Sequence, residues 1–120
     1  MEILKLDTGV REYKLPGGVL RFNPSDPNVY SRFYQAEEKL AKIQVEDSGM
    51  DALAAADKEL KSLFNWLLGG DNDVDKALGG VSLLAVCKDG NTVAANLLAA
   101  LEKILEAGAK QLVESKANAL

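Results

Sequence analysis

The chain has 120 residues with 14 basic and 18 acidic side chains, no histidine and a single cysteine, Cys87. The missing histidine excludes Ser-His-Asp and Cys-His nucleophile arrangements and histidine-ligated metal sites, and one cysteine excludes an intramolecular disulfide. A net charge of −4 argues against a nucleic-acid surface, since clustered Lys and Arg hold a phosphate backbone. These values favour one domain, residues 1–120, that works in a reducing cytoplasm without a cofactor.

No secretory signal and no membrane span are expected. Charged side chains occur throughout the first 20 residues, and no apolar run approaches the roughly 18 residues that a span requires.

Short alternating runs predict a small antiparallel β meander of about three strands at residues 1–22. The runs are residues 2–7, 11–15 and 19–22, and a hairpin turn is expected at Gly9. Alternation gives each run one apolar face, and these faces carry Leu4, Leu6, Tyr13, Leu15, Leu20 and Phe22. Such a sheet needs helices to cover its apolar face.

Three main helices are predicted to form the body of the molecule, at residues 26–46, 51–68 and 91–114. Apolar residues recur in them at spacings of three and four. Asp26 is a good N-cap, and Pro27 suits the first helical position, where its missing N–H is not needed. The predicted fold class is therefore α+β, with the meander packed on a predominantly helical body.

The stretch of residues 71–90 is the least regular part of the chain. A short helix from Asp73 to Leu78 is compatible with it, whereas Val81–Cys87 could be a buried strand or a short helix. Asp89-Gly90-Asn91 predicts a turn, with Asn91 or Thr92 capping the last helix.

Carboxylates at alternate positions from Asp71 to Asp75 resemble the start of an EF-hand calcium loop. The sixth position is Lys76, where the loop needs glycine, and the twelfth is Ser82, where it needs a bidentate glutamate. The favoured interpretation is a helix N-terminus whose dipole the acidic side chains complement, so no metal site is predicted.

The end of the second helix is unusually apolar, with five large apolar residues among the six from Leu63 to Leu68. Trp66 points away from the inner row of Phe64 and Leu67. A buried core is the favoured interpretation, and an interface anchor is the alternative. The candidate partner-binding patch consists of Phe64, Trp66, Leu67 and Leu68.

The stretch from Val19 to Phe33 contains a strand, then Phe-Asn-Pro-Ser-Asp, then a helix with Arg-Phe. This pattern resembles the signature of small tail assembly proteins of long-tailed bacteriophages and prophages. Segments 66–71, 76–80 and 88–92 are similar to the C-terminal half of those proteins, so that the resemblance covers most of the chain.

The resemblance implies a non-enzymatic tail assembly chaperone that binds the aggregation-prone tape measure protein in the bacterial host cytoplasm. It transfers no binding residue by position, and some members of this class gain a C-terminal extension by ribosomal frameshifting. Alternatives are a structural tail or neck component that self-assembles and a phage-encoded protein that binds a host protein. A homo-oligomer is compatible with each, whereas nucleic acid and membrane are not expected partners.

Overall fold

A computed structural model describes residues 1–43 and 49–119 of the chain. In these ranges two strands precede four helices, in the order β1 (Arg11–Leu15), β2 (Gly18–Phe22), α1 (Pro27–Lys42), α2 (Met50–Leu68), α3 (Val74–Ala77) and α4 (Val93–Ala119). The predicted α+β class is confirmed, but the sheet has two strands where a meander of about three was predicted.

β1 and β2 form an antiparallel hairpin that pairs Arg11 with Phe22 and Leu15 with Gly18. Gly17, in the turn, donates its N–H to the carbonyl of Ala77 at 3.0 Å. A Cβ atom at Gly17 would stand 2.5 Å from the backbone nitrogen of Gly79, so glycine is needed for this close approach. The hairpin is thereby fixed on the end of α3.

Residues 1–10 lie outside the sheet, so the predicted strand at 2–7 and the predicted hairpin turn at Gly9 are wrong. Asn23, just after β2, donates its side-chain amide to the carbonyl of Thr8 at 2.9 Å. The chain is held there beside the end of β2 and does not fold back along β1. Leu4 and Leu6, 87% and 74% exposed, consequently do not reach the core.

α1 and α2 form an antiparallel helical pair. As predicted, Asp26 caps α1 by accepting a hydrogen bond from the N–H of Asn28 at 2.9 Å, and Pro27 is the first helical residue. α1 ends at Lys42, and the last part of its predicted range, 44–46, lies outside the described residues. α2 confirms the prediction of 51–68 to within one residue.

The irregular region holds the predicted short helix, α3, and then turns. Residues 81–87 form neither a strand nor a helix, apart from one isolated bridge between Val86 and Thr92. Two of their carbonyl groups accept hydrogen bonds from the start of α4 instead. The carbonyl of Leu83 accepts from the N–H of Ala94 and that of Ala85 from the N–H of Val93, both at 2.9 Å. These donors belong to the first turn of α4, where no partner exists within the helix.

α4 begins later and ends later than the predicted range of 91–114. Thr92 caps it by accepting from the N–H of Ala95 at 3.1 Å, which confirms one of the two predicted caps. The predicted end at Glu114 is wrong, because the helix continues to Ala119.

The core is a cluster of buried apolar side chains from β2, the helices and the turn at Leu83, and partly buried side chains of β1 pack against it. Tyr13 of β1 stacks on Phe22 of β2, with ring centroids 4.8 Å apart. None of the helices in the described ranges combines the length and the apolar character of a membrane span.

Candidate protein-binding site

The four residues of the candidate patch do not share one surface. Phe64 and Leu67 are each 1% exposed and Leu68 is 4% exposed, because α1, β2 and α3 surround the inner side of α2. These three side chains are core and offer no area to a partner in this fold. Trp66, 40% exposed, is the member of the patch that a partner can reach.

Trp66 lies in a groove of about 600 Å³ that runs between α1 and α2. Half-buried Ile43 and Leu63 contribute its apolar part. The full lining consists of Lys39, Lys42, Ile43, Glu59, Ser62, Leu63 and Trp66. The groove therefore combines an apolar floor and an aromatic side chain with a charged rim.

The Trp66 ring is held by a cation. The ammonium nitrogen of Lys39 stands 4.4 Å from the ring centroid, within the range of a cation–π interaction. Near the same end of the helical pair, Arg32 donates through Nε to the carbonyl of Leu67 at 2.9 Å. A cation at the C-terminus of α2 complements the helix dipole, and this hydrogen bond ties α1 to α2.

A second, acidic groove of about 340 Å³ lies on another side of α1, against α4. Tyr30, Tyr34 and Ala109 contribute to its lining, and the acidic side chains there are Glu37, Glu102 and Glu106. Tyr34 is 67% exposed. α1 thus separates a groove with two lysines from one with three glutamates.

An ionic network is centred on the buried Lys61 of α2, and sequence reasoning missed it. Lys61, only 8% exposed, places its ammonium nitrogen 2.9 Å from Asp57 Oδ2 and 2.5 Å from Asp75 Oδ1. Asp57 also accepts from the N–H of Leu83 at 2.7 Å. The signal was available in part, because Asp57 and Lys61 have the i,i+4 spacing of a helical ion pair.

The pKa values of Asp57 and Lys61 shift as expected for paired charges. Burial of Asp57 opposes its ionisation, but the Leu83 N–H and Lys61 outweigh burial and hold the Asp57 pKa below its ordinary value. Burial likewise opposes the charge on Lys61, whereas Asp75 and Asp57 outweigh it and raise the Lys61 pKa. Both shifts mean that the fold favours the charged forms of Asp57 and Lys61. The network joins α2 to α3 and to the turn at Leu83.

The acidic run at 71–75 has structural partners. Asp73 caps α3 by accepting from the N–H of Lys76 at 3.2 Å, which is the role expected at a helix N-terminus. Asn72 bonds to the backbone of Arg21, and Asp75 pairs with Lys61. Within the described part of the chain, no group of three or more acidic or cysteine side chains is arranged to hold a metal ion.

Comparison with known proteins adds no relative to this description. No protein-family model, no curated protein and no solved structure matches the chain.

Proposed function

We propose that the protein is a non-enzymatic phage tail assembly protein, a chaperone that binds the tape measure protein in the host cytoplasm during tail morphogenesis. The observation that carries the proposal is the groove between α1 and α2, with the exposed Trp66 beside Ile43 and Leu63. The resemblance of the stretch from Val19 to Phe33 to tail assembly proteins supports the choice of client.

The groove suits a helical client. A third helix laid between two antiparallel helices packs its side chains into the groove that they form, as in helix-in-groove recognition. Trp66 would then be an anchor, since tryptophan is enriched among the residues that dominate binding energy. The stems of Lys39 and Lys42 add apolar area while their ammonium groups stay in water.

The charges of the rim suit a client with acidic residues beside its apolar stripe. Lys39 and Lys42 face one acidic residue, Glu59, so these three side chains carry a net charge of +1. The whole chain carries −4, which favours solubility of the complex. We infer that the groove gives local attraction to the client while the rest of the surface keeps the complex in solution.

The proposal predicts that Trp66→Ala weakens client binding without unfolding the protein. Loss of a central aromatic anchor costs about 2 kcal/mol or more, so the affinity should fall roughly 30-fold. The measurement is co-expression with the tape measure protein from the same phage region, followed by titration of the purified partners. Because Trp66 is 40% exposed, the variant should stay folded, and its thermal unfolding measured beside the titration checks this.

Tyr34→Ala is the matched control, since Tyr34 is another exposed aromatic residue of the same helical pair but does not line the groove. It should bind the client like the unsubstituted chain. A client whose solubility does not change on co-expression would contradict the chaperone function. Equal affinity of Trp66→Ala and Tyr34→Ala would contradict the assignment to the groove.

A further inference from the structure

The two edges of the hairpin differ in how their backbone groups are satisfied. At the outer edge of β2, the N–H of Arg21 donates to Asn72 Oδ1 and its carbonyl accepts from Asn72 Nδ2, both at 2.7 Å. Glu12 is opposite Arg21, so it too directs its backbone groups away from the other strand, as does Lys14 two residues on. Among the described residues, none hydrogen-bonds to the outward backbone groups of Glu12 and Lys14. The β1 edge is therefore open to another strand.

An apolar segment that has no binding partner among the described residues precedes this open edge. We call residues 2–7 the arm. Ile3, Leu4 and Leu6 of the arm are 86%, 87% and 74% exposed, although the arm has the alternating pattern of a strand. Three large aliphatic side chains within four positions, all exposed to water, mark an interaction segment.

The arm is joined to β1 by a hinge, Thr8-Gly9. Gly9 has a φ of +74°, which few residues other than glycine adopt, and its N–H donates to Asp7 Oδ1 at 2.8 Å. Asn23 holds the carbonyl of Thr8, and a Cβ atom at Gly9 would stand 2.5 Å from the Asn23 amide nitrogen. These contacts hold the hinge open, with the arm away from its own β1.

The charges of the arm fit β1 in one antiparallel register. With Lys5 opposite Glu12, Leu4 lies opposite Tyr13 and extends the apolar face of the sheet. A shift of two residues in one direction would oppose Lys5 to Lys14, a like-charge pair, and in the other direction it would place Lys5 opposite Val10, outside β1. A shift of one residue would turn the apolar side chains to the other face.

We propose that two copies of the chain exchange their arms, so that the arm of each copy adds an antiparallel strand to β1 of the other. Each sheet then has the three strands that the sequence predicts within one chain, with the first strand supplied in trans. The contact is isologous and closes as a two-fold dimer, as in domain swapping, in which two protomers exchange an identical element. The inference goes beyond the proposed function and uses none of the groove residues around Trp66.

The test is the mass of the full chain by light scattering over a concentration series. We expect a rise from 12.9 kDa to twice that value. The double variant Leu4→Asp/Leu6→Asp should remain monomeric with an unchanged circular dichroism spectrum, because both side chains are exposed in one copy. Val113→Asp, at an exposed apolar position of α4, is the control and should dimerise normally.

A second variant tests the edge independently of the arm. Lys14→Pro removes an outward N–H, which an edge strand tolerates, and should also give a monomer. Mixing the two monomeric variants should restore a heterodimer, since one supplies an arm and the other an open edge. A chain that stays at 12.9 kDa, or arm variants that still dimerise, would overturn the exchange. If the chain is a monomer and the amides of its arm resist hydrogen exchange, the arm pairs with its own β1. This result would overturn the exchange equally.

Discussion

Gly108 lies in the interior of α4 at the point where this helix crosses the turn before α1. A Cβ atom built on Gly108 would overlap the carbonyl group of Pro24 and stand 2.9 Å from the backbone nitrogen of Ser25. The obstacle is backbone, which cannot swing aside as a long side chain can. The glycine therefore permits a close approach that sets the distance between α4 and the start of α1.

We predict that Gly108→Ala destabilises the protein, although alanine is the better helix former. Helix propensity alone would stabilise the variant by about 1 kcal/mol. Overpacking against the Pro24 backbone should outweigh this gain and lower the free energy of unfolding by about 1–3 kcal/mol. Urea unfolding followed by circular dichroism measures the difference.

The neighbouring exposed position supplies the control for Gly108. Ala107→Gly changes helix propensity in the opposite direction without a close contact, so it should cost about 1 kcal/mol. A Gly108→Ala variant that is more stable than the unsubstituted chain would show that α4 does not approach Pro24 this closely.

At the scale of elements, Tyr30 joins α1 to α4 and to the turn before α1. Its hydroxyl group lies 2.8 Å from the carbonyl oxygens of both Pro24 and Leu105, which share its one proton. Burial first, and the nearby Tyr34 second, raise the Tyr30 pKa above its ordinary value of 10.0. The neutral hydroxyl is thus the form that the fold favours.

We predict that Tyr30→Phe lowers the free energy of unfolding by about 1 kcal/mol, because two carbonyl groups lose a donor. Tyr34→Phe, four residues on and 67% exposed, should change the free energy of unfolding little and serves as the matched control.

The raised pKa of Tyr30 contributes stability that is fully present below about pH 10 and is lost as the pH rises through the folded-state pKa. Urea unfolding at neutral and alkaline pH should therefore show that the difference between the unsubstituted chain and the Tyr30→Phe variant shrinks as the pH rises. A constant difference would contradict the role of the hydroxyl proton.

Local rules explain which elements the sequence predicts correctly. Asp26, Pro27 and Thr92 act within one helical turn, so their roles are readable from neighbouring residues. The roles of Gly108 and Asn72 depend on backbone that is distant in sequence, and no spacing rule indicates either. The predicted first strand at 2–7 failed for a similar reason, since alternation specifies a strand but not what pairs with it. The candidate patch is divided because the α2 row that includes Phe64 is enclosed from several sides, whereas Trp66 is exposed.

At the scale of the whole molecule, stability in acid depends on carboxylates that the fold keeps ionised. Asp57 is the clearest case, because it accepts from the Leu83 N–H and pairs with the buried Lys61. Because the fold holds the Asp57 pKa below its ordinary value of 3.8, the ionised carboxylate stabilises the protein at pH values above 3.8. The contribution is lost as the pH falls through the folded-state pKa, when the carboxylate takes up its proton in the fold as well.

We predict that Asp57→Asn lowers the free energy of unfolding at about pH 7 by about 1–3 kcal/mol, since Lys61 loses one of its two anionic partners in a buried position. The loss should diminish as the pH falls below about 4, because the unsubstituted chain then loses the same charge. Asp71→Asn changes the net charge equally at an exposed position and should leave stability almost unchanged at every pH. Urea unfolding of the three chains across this range is the measurement. Parallel pH profiles for the Asp57→Asn variant and the unsubstituted chain would show that Asp57 does not couple folding to acid, and that α2, α3 and the turn at Leu83 are held together without its charge.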